Sequence, residues 1–342
     1  MTRHIPEGER TLPGDVRDGR TTAPKALPPK PFDDRDGSEL FEQITRLPEY
    51  YPTRAEREIL ETQGSEIAAL CPTAELVELG SGSAEKALLL VEPMLATGEL
   101  RSYTAVDVSE SALAGSLEEM VAAHPELPVE GHVADMTRHL RELPPPQGLR
   151  TVALLGGTIG NFSPSARVEL LGAMGELAGP DGHLLIGCDL VKDPDVLVAA
   201  YDDPQGVTAR FNLNLLTIIN RELGGDFDLA EFEHVARWNP EEEWIEMRLR
   251  AKRDLTVTIS ELALAVEFSE GEELLTETSA KFTPERIAAE LAEGGLEVTD
   301  LLTDPADRFA LVIAEPNTQD SPTQLTTLED GKQRNPEEGV GL

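Results

Sequence analysis

From residue 74 to residue 190, short apolar runs alternate with stretches in which apolar residues return every three or four positions. AELVELG (74–80) reads as a buried strand, AEKALLLVEPML (84–95) as a helix, SYTAVDVS (102–109) as a second strand and ESALAGSLEEMVAAH (110–124) as a second helix. VEGHVAD (129–135) gives a third strand and RTVALLGGTIGN (150–161) a fourth, apolar through its middle and broken by two glycines. A helix over 163–178 and the strand GHLLIGCDL (182–190) follow. This alternation predicts βαβ units and a parallel, doubly wound sheet, which takes its ligands outside the carboxyl ends of its strands.

On either side the rhythm differs. Residues 38–69 carry helical spacing interrupted by the prolines of LPEYYPTR, so two or three helices precede the first strand. After residue 190, positions 196–225 read as helix and 230–281 as strands, including EEWIEMRLRAK and LTVTISELALAVEF. The α/β pattern then resumes with TPERIAAELAEGG (283–295), LEVTDLLTD and RFALVIAEP. An insertion between the fifth and sixth strands, returning to the same sheet as a lid or substrate domain, is the simplest topology. The expected organisation is a disordered arm (1–30, with five prolines), a main domain (31–195 and 283–316) whose residues 31–60 form a helical cap, a substrate-binding insertion (196–282) and a disordered tail (317–342).

Charge narrows the partners. With 64 acidic against 29 basic residues the formal net charge is −35. Such a field repels phosphate backbones and anionic membranes, so neither nucleic acid nor a membrane is expected and the substrate should be small. No apolar run approaches the roughly 18 residues of a membrane span, and MTRHIPEGER lacks the core of a secretory signal, which points to a cytoplasmic protein. Cys71 and Cys188 lack metal-ligand spacing and read as small buried hydrophobes. Neither a metal nor an obligate partner is indicated, and a monomer is expected.

Candidate chemistry begins at VELGSGSAEKA (77–87), where a buried strand passes through a glycine turn into a helix. Gly80 and Gly82 permit a sharp turn and the close approach of a ligand. Asp107, ending the second strand, can accept from both hydroxyls of a ribose; Asp135, after the third, can meet an adenine amino group while Met136 packs on the ring. A G-x-G turn serves NAD as readily as S-adenosylmethionine (SAM), and each aspartate alone is more often a helix cap or a strand-end turn; three strand ends that all carry suitable groups are less easily accidental. Here Glu78 precedes the turn and Ala84-Glu85 stands where a third glycine would be. Acids at a helix start oppose a pyrophosphate but suit the cationic SAM.

Four segments together, GSELFEQITRLPEYYPTRAE (37–56), ELGSGSAEK (78–86), LLGGTIGNF (154–162) and TETSAKF (276–282), make the chain resemble the L-histidine Nα-methyltransferases of ergothioneine biosynthesis over about residues 25–316. The resemblance implies a Rossmann-like class I SAM-methyltransferase sheet with an inserted α+β substrate-binding lid domain. It implies cofactor contacts by Gly80, Lys86, Asp107, Asp135 and Met136 beside Gly82 of the turn, with Lys86 reaching the SAM carboxylate. On the substrate side it implies that Tyr50, Asn161 and Tyr201 hold the amino acid's carboxylate and amine, Tyr50 and Asn161 being the catalytic pair. Gly156 and Phe41 would wall the pocket, Glu277 and Ser279 grip the imidazole, and Met247 line that same end.

The residue types suit these roles. A hydroxyl and a carboxylate can satisfy both nitrogens of an imidazole, one donating and one accepting. Asn161 and the tyrosines could hold a zwitterion without a buried arginine. Without the resemblance, Asn161 would read as a cap for the helix starting at Ser163, Tyr50 and Tyr51 as amphipathic packing and TETS as a solvated strand face. One position departs from the pattern: Asp33 stands where the family carries a tyrosine, which bears on amino-acid preference. The implied reaction is an in-line attack of the neutral α-amine on the SAM methyl, repeated to Nα,Nα,Nα-trimethylhistidine (hercynine). The rival readings are a SAM methyltransferase of another amine, an NAD-dependent oxidoreductase and a non-catalytic SAM sensor.

Overall fold

Strands buried on both faces need no polar alternation, and the middle of the central sheet is built from such strands. The computed structural model describes residues 2–4, 14, 16, 25, 26 and 34–317. Its main sheet contains β1 (Thr2–His4), β2 (Glu75–Leu79), β3 (Ser102–Asp107), β4 (Val129–Val133), β5 (Arg150–Leu154) and β6 (His183–Asp189). These run parallel, and β5 and β6 are buried along their whole length. Helices α1 (Arg35–Thr45) and α2 (Pro52–Leu70) precede β2; α3 (Glu85–Ala96), α4 (Glu110–Ala123) and α5 (Pro164–Ala178) cross between strands.

An insertion follows β6. It comprises α6 (Pro194–Tyr201), α7 (Val207–Leu223), an antiparallel sheet of β7 (Phe232–Asn239), β8 (Trp244–Ala251) and β11 (Glu273–Ala280), and the hairpin of β9 (Leu255–Ile259) with β10 (Leu264–Phe268). The chain then forms α8 (Pro284–Glu293), β12 (Leu296–Thr303) and β13 (Phe309–Pro316), completing the sheet order β1-β4-β3-β2-β5-β6-β13-β12. Four helices start alike: α2, α5, α6 and α8 each carry proline in the first turn, and the last three are capped by Ser163, Asp193 and Thr283. Proline there sacrifices a donor that had no partner, and the cap oxygen satisfies another.

The sheet departs from the all-parallel expectation in one strand. β13 runs antiparallel to both β6 and β12. Residues 304–308 are too short a link for a parallel crossover, and Asp304 tightens them by accepting from the backbone N–H groups of Arg308 (2.6 Å) and Phe309 (2.9 Å). The fourth strand is also shorter than the apolar run suggests. It stops at Leu154, because Gly156 (φ 83°) and Gly157 (φ 69°) turn the chain through the left-handed region into a single 3-10 turn, Thr158–Asn161. The helical pattern of the insertion likewise breaks into two helices around Gly206, at φ 67°.

Each face of the sheet has its own apolar core. One packs Ile59, Leu60 and Ile67 of α2; the other packs Leu170, Leu171 and Met174 of α5 with Ile287 and Leu291 of α8. The insertion has a third, in which Phe268 packs edge to face on Phe227 and Phe232 and those two rings are tilted on each other, with centroids 5.4–6.4 Å apart. The two ends of the insertion are joined: Phe282 N donates to Asp189 O (2.9 Å) and Val191 N to Phe282 O (2.9 Å).

The expectation of a free arm over 1–30 is corrected at its described residues. Thr2–His4 pairs with Gly131–Val133 of β4, Val16 is fully buried in the core of the insertion, and Leu275 N donates to Lys25 O at 3.0 Å. A segment that cannot fold alone can still bury itself on a preformed edge. Asp33 and the residues 318–342 of the expected tail lie outside the described residues. Both cysteines are buried free thiols; burial pushes Cys71 up to about 12 and raises Cys188 as well.

Candidate active site

The carboxyl ends of β2, β3 and β4 lie side by side, and the sequence places an unusual turn at the first. Gly80 (φ 66°) and Gly82 (φ 46°) sit in left-handed conformations, with Gly80 N donating to Val106 O (2.8 Å). Gly82 N donates to one oxygen of Asp107 (3.1 Å) and Ser109 N to the other (2.8 Å), so the carboxylate is aimed by backbone. Ser109, rather than Asp107, caps α4. Asp135 accepts from the backbone and hydroxyl of Thr137 (2.8 and 2.6 Å), and the Met136 methyl lies 3.2 Å from where a Cβ on Gly80 would stand. Under the turn, burial pushes the Glu78 carboxyl up to about 7 against the opposing pull of the Tyr103 hydroxyl, which donates to it at 2.5 Å. This edge thus offers open space at Gly82, two oriented carboxylates and acids around the helix start, which fits a cationic nucleoside better than a pyrophosphate.

Lys86 of α3 connects this edge to a second cavity. Its Nζ bonds the fully buried Glu56 (2.8 Å), whose other oxygen accepts from Gly156 N (2.7 Å). A Cβ on Gly156 would stand 2.9 Å from that same Nζ, so the glycine lets lysine and loop meet. Gly156 is also part of the wall of a cleft on which polar side chains from several elements converge.

All eight residues expected on the substrate side line this one cleft: Phe41, Tyr50, Gly156, Asn161, Tyr201, Met247, Glu277 and Ser279. Several local devices bring them there. Arg54 donates to the carbonyls of Leu47 (2.7 Å), Pro48 (2.6 Å) and Tyr50 (3.1 Å), pinning the segment before α2. Phe41 of α1 packs on Tyr50 and on Phe211 of α7, with centroids 6.4 and 6.2 Å apart. Asp34, the cap of α1, accepts from Asn214 (2.9 Å) and Arg221 (2.6 Å) and so ties α1 to α7. Gly160 lies so close to β11 that a Cβ would stand 2.7 Å from Ala280 O, which seats Asn161 beside that strand. Ser163 caps α5, so Asn161 is not needed there.

Glu277 and Ser279 depend on an irregularity. β11 pairs with β8 as Leu274↔Leu249, then shifts register between Leu275 and Glu277 to resume as Glu277↔Met247 and Ser279↔Ile245. One extra residue reverses the alternation, so Leu274 faces the insertion core while Glu277, Ser279 and Lys281 face the cleft.

Beneath the cleft lies a charged network that the sequence reading did not identify. The fully buried Lys281 reaches Asp189 Oδ2 (2.7 Å), Tyr201 Oη (2.8 Å) and Ser279 Oγ (2.9 Å). Asp189 also accepts from Tyr51 (2.8 and 2.9 Å) and Lys192 (2.6 Å). Burial alone would raise the Asp189 carboxyl, but the two ammonium groups outweigh it and hold it below its usual range. Burial lowers Lys192 to about 8 despite Asp189 beside it. A buried cation therefore serves the cleft after all, though as lysine rather than arginine. Tyr50 is different: burial, with Tyr201 next to it, pushes its phenol well above the ordinary value, so it works as a neutral hydroxyl. Lys281 stood within TETSAKF and Asp189 within GHLLIGCDL; only a buried-charge argument on those segments could have flagged them.

Residues 12–316 match the family described as "Histidine-specific methyltransferase, SAM-dependent". The chain is 50% identical over 300 residues to the histidine N-alpha-methyltransferase of Mycolicibacterium smegmatis, covering 88% of this chain and 93% of that one. It is 47% identical over 316 residues to the histidine N-alpha-methyltransferase of Mycobacterium tuberculosis, covering 92% and 98%. It is 33% identical over 205 residues, 59% of this chain and 23% of the other, to ergothioneine biosynthesis protein 1 of Neurospora crassa. The chain belongs to the family of histidine-specific, SAM-dependent methyltransferases.

Proposed function

We propose that the protein methylates the α-amino nitrogen of L-histidine and repeats the transfer to give the trimethylated betaine, hercynine, on the way to ergothioneine. The observation that carries this reading is one cleft holding Glu277 and Ser279 on β11, with Tyr50, Asn161 and Tyr201 also on its walls and Gly156 leading to the Lys86 edge. The names of the two mycobacterial relatives and of the Neurospora protein support it.

SAM, when bound, supplies an electrophilic methyl on a sulfonium centre. Gly80, Gly82, Asp107, Asp135 and Met136 are the residues that would hold its nucleoside, and Lys86 its carboxylate. Glu277 accepts from the ring of histidine and Ser279 donates to the other ring nitrogen. Tyr50 and Asn161 orient the amine; as a neutral phenol, Tyr50 fixes the nitrogen's direction instead of removing its proton. Phe41 and Met247 exclude water around the ring and the reacting groups.

Incubation of the purified protein with SAM and each of the common amino acids, read by mass spectrometry, tests the proposal. Histidine should gain one, two and three methyl groups in succession. Methylation of another amino acid in preference to histidine would overturn it.

A further inference from the structure

Lys281 has three N–H donors, and the structure gives it three acceptors: Asp189 Oδ2, Tyr201 Oη and Ser279 Oγ, at 2.7, 2.8 and 2.9 Å. A lysine side chain accepts nothing, so both hydroxyls must point their own protons elsewhere. Tyr201 Oη and Ser279 Oγ are themselves 2.8 Å apart, close enough for one to donate to the other. A phenol is the stronger donor and an aliphatic hydroxyl the stronger acceptor, so the proton runs from Tyr201 to Ser279. Ser279 Oγ then has both lone pairs taken, one by Lys281 and one by Tyr201. Its remaining proton is left for the cleft, whose wall Ser279 shares.

From this we infer that Lys281 is a specificity-determining positioning residue: by fixing the direction of the Ser279 hydroxyl it makes the cleft select the neutral form of the substrate's imidazole. The inference rests on the proposed seating of the ring between Glu277 and Ser279. Glu277 accepts one ring N–H; Ser279 then requires a bare ring nitrogen, which the imidazolium lacks. Removing Lys281 frees a lone pair on Ser279, the hydroxyl can turn round, and a doubly protonated ring becomes acceptable.

Other titrating groups face this pair. β11 contributes Glu277, with Lys281 just past its end; β6 contributes Asp189, and Lys192 lies just beyond it. Tyr50 and Tyr51 precede α2, and Glu56 and Lys86 stand behind Gly156. From β7, His234 places Nε2 at 2.8 Å from Tyr201 O. β8 contributes only Ile245 and Met247. A ligand pair that shares the amine and ring size but differs in ring basicity separates ring protonation from these groups, whose own titration is common to both measurements.

The experiment measures the Kd of histidine and of 1,2,4-triazolylalanine, a ligand with the same amine but a far less basic ring, between pH 5.5 and 8.5. In the unaltered protein, histidine should weaken nearly tenfold per pH unit below the ring's pKa of about 6.5, and the triazole should not. In Lys281→Met the acid weakening of histidine should fall to less than about threefold over the same range, with SAM affinity retained. Equal acid weakening of both ligands in the unaltered protein, or an unchanged histidine profile in folded Lys281→Met, overturns the inference. Should Lys281→Met not fold, Tyr201→Phe keeps the lysine and opens the other lone pair on Ser279, which also lets the hydroxyl turn, so its histidine profile should flatten too; a profile that stays steep is again contrary. Glu277→Ala separates the two levels: histidine affinity untouched at every pH would sink the ring's seating itself, while affinity lost with the Lys281→Met profile unchanged sinks only the role of the lysine.

Discussion

The two halves of the site are built on different principles. At the sheet edge, ligand groups are provided by backbone geometry: a left-handed glycine turn and two half-exposed carboxylates aimed by neighbouring N–H groups. In the cleft, they are provided by side chains that are buried, mutually hydrogen-bonded and wired to three charges beneath. The edge tolerates any ligand with a ribose and a cation, whereas the cleft commits donors and acceptors before a ligand arrives. On the proposed roles, generality resides at the sheet edge and selectivity in the cleft.

Replacing Asp107 should have the largest effect. Asp107→Ala removes both the proposed ribose acceptor and the anchor for Gly82 N and Ser109 N, and each charge-assisted bond is worth about 1.5–3 kcal/mol, so SAM affinity should fall by at least about 100-fold in calorimetry. Retained affinity would place the cofactor elsewhere. Next comes Glu277→Ala, which should weaken histidine by roughly 10- to 100-fold and SAM by less than about threefold. Equal losses of both ligands would erase the division of labour between the two halves. Glu56→Gln acts at the junction. A glutamine can still accept from Gly156 N but presents an amide to Lys86, so both affinities should drop together, each by about three- to tenfold. A loss confined to one ligand would show that the junction belongs to that half alone.

The smallest effect is on stability. Glu78 binds its proton more tightly in the folded protein, its carboxyl rising from 4.5 to about 7. Its contribution is therefore whole below about 4.5 and declines as pH climbs to about 7. Glu78→Gln keeps an acceptor for Tyr103 and removes the titration, so its melting temperature should gain on the parent's between pH 5 and 8. A constant gap across that interval would show that Glu78 does not titrate there.

Much of this contrast was legible in the chain. The edge depends on residues close in sequence, such as Gly80, Gly82 and the strand-end aspartates, and periodicity places them directly. The cleft residues were legible by type, through the resemblance, but their connections were not. Glu277 and Ser279 face inward only because of a bulge, which no alternation pattern announces. Glu56 sits in an amphipathic helix whose other acids are solvated, and it becomes the bridge only by meeting a loop from beyond β5. Asp189 and Lys281 are separated by the whole insertion, so their pairing is invisible until both of its ends are zipped together. The antiparallel β13 and the docked residues of the arm were missed for a related reason: each depends on what an already formed sheet leaves available, a property of the fold as a whole.

The burial of both cysteines has a practical consequence. Because the chain contains only two and each thiol is sealed inside and held protonated, mild alkylating reagents meet a silent background. Phe41, 46% exposed at the mouth of the cleft, could be exchanged for a cysteine that would then be the one reactive sulfur in the native molecule. A fluorophore attached there would report the arrival and departure of the amino acid in real time, with no background labelling to subtract.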